Sequence, residues 1–486
     1  MTGEPFPAAV PDRARLSLSL AVALLAFASA IGRGSALLRD PDVFSHIAVG
    51  RWILDHGEVP RTDVFSHSMP GARWVAHEWL SEIGIALVHD RLGWVGLAAV
   101  TAACLALAMA LLVHALLKYL PPAVALLATL GAWSLCFLHL QARPHAAILP
   151  LLVFWTATLV AARAAGRAPP LWLALLMVPW ANMHGSHVFG LGLAGMFAAE
   201  AVFESSTRRE AWVAARDWGI FCALSFAAEF ATPLGVDGFT FPFEVASQSY
   251  ALSWINEWQS PNMQGGHPLE LWLMLALLGI MSLGLRFPIT RIAMFLLLLH
   301  MALSHQRHAE LLGICAPLIL APPIAGQLRS LLDSRPVAAL EAWLRRLGLP
   351  AAWRTAALAG SAAVALAMMV FRLPAITVPG NYAPAAAVEA VRARGNPGPV
   401  FNSYNMGGYL MFVGIAPFFD GRLDMYGDPF LRRFNALADL PRLLADYRIE
   451  WTLFEPRDRH VAALDSLPDW QRLFADDTAV VHVRRR

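Results

Sequence analysis

Apolar residues run along this chain in long blocks rather than in alternation. Eleven stretches carry few charges: 16–38, 93–117, 121–140, 146–163, 170–183, 187–204, 217–235, 269–285, 289–304, 309–327 and 354–372. Most approach the ~20 residues that a helix needs to cross a bilayer. The 170–183 run is short, which implies tilt, an extension toward His187 or partial burial. Arg13 and Arg15 precede the first run and Arg33 interrupts it. Its "AFASA" stretch mimics a cleavage site, but apolar character continues to Leu38, so an uncleaved first span is expected.

The polar intervals set an orientation. With the N-terminus inside, the inner loops hold Arg13 and Arg15, Lys118, Arg163 and Arg167, Arg208, Arg209 and Arg216, and Arg286 and Arg291. The 328–354 loop adds Arg329, Arg335, Arg345, Arg346 and Arg354. The short outer loops hold only Arg143 and Arg307, and the 236–268 loop has no Lys or Arg. This is a positive-inside pattern. It predicts a multi-pass membrane protein with a cytoplasmic N-terminus and an extracytoplasmic C-terminal region.

Two intervals differ from simple connectors. The first outer loop, 39–92, reads as a helix stopping near Gly57, a turn-rich middle, and a second helix, "HEWLSEIGIALVHDRLG", lying along the membrane interface. From residue 380 the pattern shortens into strand, turn and helix segments. "GPVFNSYNMGGYLMFVG" and "APFFDGRLDMYGD" read as short strands and turns, "RIEWTLFEP" and "TAVVHVRR" as strands, and "HVAALDSLPDWQRLF" as a helix. The expected organisation is an α-helical transmembrane domain over 1–379 and a small extracytoplasmic α/β domain over 380–486.

Composition agrees. The 486 residues are 57% hydrophobic and 15% charged, against about a quarter charged in soluble domains. Mean hydropathy is +0.52. The net charge of +2 gives no reason to expect a nucleic-acid partner. Cys104, Cys136, Cys222 and Cys315 all lie in apolar runs with no CxxC pair, and read as small buried hydrophobes.

Once the topology is set, five polar groups fall on the outer face. Asp40, Asp42, His46, His77 and Glu78 lie in the first loop. "QARPH" brings Arg143 and His145, and "NMHGSH" brings Asn182, His184 and His187. "INEWQSP" brings Glu257 and Trp258, and "SHQRHAE" brings His305, Arg307, His308 and Glu310. Ionisable residues at membrane depth are costly and face a cavity or a partner. Singly, each has a plain reading: interfacial histidines, a snorkelling Arg143, an Arg307–Glu310 pair, and Asp42 as N-cap of the helix that follows. Together they describe a polar cavity open to the outside.

Such a cavity suits an anionic, lipid-linked substrate. An aspartate, Asp42 with Asp40 as its rival, can take a proton from an acceptor hydroxyl. Arg143 and Arg307 can hold a phosphate, with His184, His305, Glu257 and Trp258 as further substrate contacts. A divalent metal, Mg or Mn, held by Asp42, His46, His77 and Glu78 is a weaker alternative, because no spacing is diagnostic.

The stretch "DPDVFSHIAVGRWILDHGEVPRTDVFSHSMPGARWVAHEWLSE" resembles the first extracytoplasmic loop of bacterial membrane proteins of the GT-C glycosyltransferase superfamily, of the protein mannosyltransferase-like, family 39-like kind. "INEWQSP", "SHQRHAELLGICAP" and "VFNSYNMGGYL…FFDGRLDMYGD" are similar to later stretches of the same group. The resemblance implies a GT-C fold, a polyprenyl-phosphate sugar donor, a lipid, glycan or protein acceptor, and a catalytic aspartate at Asp40 or Asp42. This chain has Phe44 and Ser45 where the group carries an aromatic pair before the histidine. In the last domain, Asp420, Arg422, Asp424 and Tyr426 read as a strand and tight turn with mutually paired charges, or as an acceptor contact over the cavity mouth. Two other functions compete. A lipid-linked anion transporter or flippase predicts mid-membrane polar groups and internal repeats, and neither is present. A non-enzymatic scaffold predicts dispensable first-loop carboxylates.

Overall fold

The computed structural model describes residues 12–332, 351–395 and 398–485. The inner-loop arginines Arg335, Arg345 and Arg346 lie outside the described residues. Each of the eleven apolar runs coincides with helix. The membrane-region helices are α1 (Asp12–Gly32), α3 (Trp79–Leu116), α4 (Pro122–His139), α5 (Pro144–Ala164), α6 (Met177–Met183), α7 (His187–Phe203), α8 (Arg208–Ala228), α11 (Pro268–Ser282), α12 (Ile289–Ser304), α13 (Ala309–Leu332) and a further helix, Ala351–Arg372. Between them lie α2 (Asp42–His56), α9 (Val236–Ser247) and α10 (Ser249–Leu252). Among the described residues, five helices are long and apolar enough to cross a membrane by length and composition, and five shorter apolar helices accompany them. The 217–235 run differs most from expectation: its helix starts at Arg208, and its first half is charged.

Helix α3 runs through the bundle and packs against α1, α2, α4, α5 and α13. Its buried face holds Ala98, Ala102, Ala106 and Ala108. Small residues let helix backbones approach closely where lipid supplies no hydrophobic drive for association. The expected interfacial helix and the second span are one continuous element, bent at Gly93, whose φ of 63° and ψ of −162° are non-helical. On the outside of the bundle, Leu271, Met274, Leu278 and Met281 of α11 are exposed, as a lipid-facing surface requires.

Several arginines inside the bundle are paired. Arg33, which interrupts the first run, donates to the carbonyls of Phe137 and Leu140 at the end of α4. At the end of the bundle away from the polar groups, Arg291 bonds Glu200 and the Ile319 carbonyl, while Arg163 pairs with Glu204.

The C-terminal region folds around a four-stranded sheet in the order β1 (Val400–Asn402), β2 (Trp451–Phe454), β4 (Val480–Arg484), β3 (Trp470–Ala475). The β1–β2 pair is parallel and the others antiparallel. Three segments differ from the sequence expectation. "APFFDGRLDMYGD" holds no strand, and its second half opens a helix, Leu423–Asn435. "YNMGGYLMF" is a helix, Tyr404–Phe412, although two glycines lower its intrinsic preference. "WQRLFA" is strand β3 rather than the end of a helix. In these last two cases tertiary packing overrides local propensity: Gly408 allows close approach to the start of α2, Gly407 allows close approach to the Phe419–Asp420 backbone, and β3 pairs with β4.

Candidate functional site

The two first-loop aspartates take different roles because of one backbone turn. Asp40 Oδ1 accepts the Asp42 amide at 2.9 Å. Helix α2 begins at Asp42, after Pro41, with no capping bond from the Pro41 side. The expected N-cap role for Asp42 is therefore corrected: Asp40 holds the amide, and the Asp42 carboxylate projects from the first turn. Asp40 is 2% exposed, whereas Asp42 lines a cavity of about 410 Å³.

Arg143 joins these aspartates to the far side of the cavity. It precedes Pro144, which holds it in extended backbone at the start of α5. Its Nη2 donates to Asp42 Oδ2 at 2.9 Å, and its Nη1 donates to both Glu257 oxygens at 3.0 Å. Its Nε pairs with Asp40 Oδ2. One guanidinium thus serves three carboxylates, leaving local negative charge in excess. Burial alone would raise the Glu257 carboxyl, but Arg143 and then Arg307 outweigh it and hold it below the usual range. At Asp42, burial dominates: with Glu257 and Asp420 adding to it and His46 opposing, the carboxyl is pushed up to about 6.

Arg307 is placed differently. It sits in the 3₁₀ turn Gln306–His308, with its guanidinium 4.9 Å from the centre of the Trp258 ring. Among the described residues no carboxylate bonds it directly. The turn is fixed by His305, whose Nδ1–H donates to the Trp258 carbonyl at 2.7 Å, and by the Gln306 amide on the Gln259 carbonyl at 2.9 Å. His305 therefore ties two loops together and does not line the cavity, while Trp258, Glu257 and Arg307 do.

The opposite wall is acidic and imidazole-rich. His46 lies one turn after Asp42 and its Nδ1 is 3.1 Å from Glu82. Burial would lower this imidazole, but the hydrogen bond to Glu82 and the charges of Glu78, Glu82 and Asp42 raise it to about 9. His184 Nδ1 accepts the Ser186 amide at 3.1 Å, so its proton is on Nε2, which points toward Glu78 Oε1 at 3.7 Å. Burial holds His184 well below its ordinary value. His77 is pushed down to about 3 by burial and stacks on Phe241 at 4.1 Å. Burial pushes Glu78 up to about 7. Asn182 is structural: it accepts from Trp79 Nε1 at 2.7 Å and donates to the Ala231 carbonyl. His187 lies behind the cavity, 3.2 Å from buried Glu229.

One acidic wall residue, Glu82, carries no assignment in the sequence reading. Glu82, the partner of His46, is four residues after Glu78 and shares its helical face, a signal that was available. Asp424 enters the cavity from the C-terminal domain, with burial pushing its carboxyl up to about 7.

The proposed metal ligands do not gather. His46 is committed to Glu82, and His77 and Glu78 are 3.7 Å apart. Among the described residues no three His, Cys, Asp or Glu groups form a metal-holding cluster. No step below uses a divalent ion.

No protein-family model and no curated protein sequence matches the chain. Solved structures do. The crystal structure of ArnT from Cupriavidus metallidurans bound to undecaprenyl phosphate matches over 96% of this chain and 97% of its own, with a TM-score of 0.51 and 14% identity. The apo ArnT structure from the same organism matches with a TM-score of 0.52 over the same shares, also at 14% identity. The chain therefore shares the overall fold of these two ArnT structures.

Proposed function

We propose that this protein is a bacterial inner-membrane glycosyltransferase. It moves a sugar from a polyprenyl-phosphate donor to a lipid, glycan or protein acceptor at the extracytoplasmic face. The observation that carries the reading is Asp42: a carboxylate at the mouth of a helix, lining a 410 Å³ cavity that also holds Arg307 on the face of Trp258. The fold shared with a protein solved with undecaprenyl phosphate supports the donor class. The arginine distribution supports the orientation.

In the proposed step an acceptor hydroxyl attacks the anomeric carbon of the donor sugar, and Asp42 takes the hydroxyl proton. The bond from that carbon to the phosphate oxygen breaks, and its electron pair leaves with the polyprenyl phosphate. Arg307, with no carboxylate bonded to it among the described residues, is free to meet the developing phosphate charge. Arg143 holds Asp42 in place and keeps it from carrying the excess charge alone. His184 offers Nε2–H as a neutral donor. An Asp42 carboxyl near 6 is mostly ionised at neutral pH yet basic enough to accept a proton.

The test supplies purified protein with a panel of undecaprenyl-phosphate monosaccharides and an envelope fraction as acceptor source. Release of undecaprenyl phosphate is measured. Wild type is expected to turn over at least one donor, and Asp42→Asn to abolish turnover while inserting normally. Full turnover by Asp42→Asn would sink the assignment of the base.

A further inference from the structure

The C-terminal domain touches the "DPD" turn twice, and both times through a glycine. In the Tyr404–Phe412 helix, a Cβ added at Gly408 would lie 2.7 Å from the Pro41 carbonyl oxygen and 3.4 Å from the Ser45 amide. In the turn just before the helix that begins at Leu423, a Cβ added at Gly421 would lie 2.8 Å from Asp42 Cγ and still closer to Oδ1. Real Cβ atoms do not occupy such positions, so the Gly421 backbone rests directly on the Asp42 carboxylate. Asp42 is thus held on two sides, by Arg143 on Oδ2 and by the 420–422 turn on Oδ1.

The turn is itself fastened by a buried network. Arg422 grips Asp420 through Nε and Nη2 at 2.8 and 2.7 Å and reaches Asp63 of the first loop through Nη1 at 2.7 Å. Tyr426 donates to Asp420 Oδ2 at 2.8 Å. The guanidinium lies between the rings of Phe65 and Trp74. Asp63 and Asp420 side chains have no exposure. Behind the turn, Asn402 of β1 accepts the Phe418 amide and donates to the Phe419 carbonyl. An unbroken path therefore runs from the sheet, through Asn402 and Asp420–Arg422, to Asp42. A two-domain arrangement with a separable acceptor module would not need this path.

We propose that Gly421 and Arg422 are positioning residues for Asp42, so that the C-terminal domain completes the catalytic site. The proposal rests on the reading of Asp42 as the base. Its test uses the full-length protein with Gly421→Ala, Arg422→Lys, Asp42→Asn and a control, Gly192→Ala, which has open space around it. Arg422→Lys keeps the charge but cannot fork between Asp420 and Asp63.

Two readouts are taken. The first is turnover of the undecaprenyl-phosphate monosaccharide that wild type accepts, as a function of pH, beside binding of undecaprenyl phosphate. The second is amide hydrogen exchange. Gly421→Ala and Arg422→Lys are expected to lose roughly 100-fold in kcat, the scale of a 1 Å misplacement. They should shift the acid limb of the pH profile, leave undecaprenyl phosphate binding within about twofold, and raise exchange at residues 41–46 above the control. If Gly421→Ala does not fold, Arg422→Lys decides. Wild-type kcat and pH profile in the folded variants would overturn the proposal, as would a loss of binding equal to the loss of turnover with an unshifted profile. Those results leave the reading of Asp42 intact provided Asp42→Asn is dead; an active Asp42→Asn removes that reading instead.

Discussion

Replacing Arg143 with Gln removes the one guanidinium shared by Asp40, Asp42 and Glu257. It leaves three carboxyls whose side chains are 1%, 18% and 25% exposed. Deleting one partner of a buried ion pair costs ~3–5 kcal/mol. A second route gives a similar size. The site keeps its net charge if one carboxyl takes up a proton in place of the lost cation. For a group with an ordinary pKa of ~3.9, that costs about 4 kcal/mol at pH 7 and about 1.5 kcal/mol at pH 5. The sign follows. In the variant, the folded state binds a proton that the unfolded chain has released, so stability falls as pH rises above the unfolded pKa. In the wild type, Glu257 is held below its usual range, so its contribution is present above the unfolded pKa and is lost only on acidification through the folded one. The gap between the two proteins should therefore be widest at pH 7–8 and narrow toward pH 5. Thermal unfolding of detergent-purified protein across that range measures it. An equal gap at both ends, or none at pH 7, would refute the account of Arg143 as the shared counter-ion.

Turnover should fall on the acid side with an inflection near pH 6, because Asp42 is raised to about 6 and is inactive as a base when protonated; a pH–rate profile checks this. His46→Gln should cost about 2 kcal/mol, the scale of a hydrogen bond to a charged group. Since His46 is raised to about 9, that loss should be full below the unfolded imidazole value and vanish as pH rises through 9, in unfolding measurements. Arg307→Ala should weaken undecaprenyl phosphate binding by about tenfold, the loss of one charge-assisted contact of ~1.5 kcal/mol, while Glu257→Gln should not weaken it; direct binding in detergent separates the two.

The cavity's lining was largely legible before any coordinates, and the reason is topological. Once the runs of apolar residues are threaded across a bilayer, helix ends must lie at one surface or the other. "QARPH", "NMHGSH", "INEWQSP" and "SHQRHAE" then share a surface without any knowledge of packing. What each residue does there was not legible. His305 and His184 look alike in sequence, yet one ties Trp258 to its neighbouring turn and the other presents a proton to the cavity. Arg143 and Arg307 look alike too, and only contacts with three carboxylates distinguish them.

The sequence alone determined the membrane class and the face on which polar groups collect, because hydrophobicity and charge act locally along the chain. Only the tertiary structure decided which aspartate faces the cavity. Asp40 and Asp42 are two residues apart and chemically the same, and a single hydrogen bond within the turn separates their roles. It also decided that Gly421 and Asp424 belong to the same cavity as Asp42, more than 370 residues away by number. Such a contact costs loop-closure entropy and is repaid by buried packing on both sides; neither quantity is written in a local pattern.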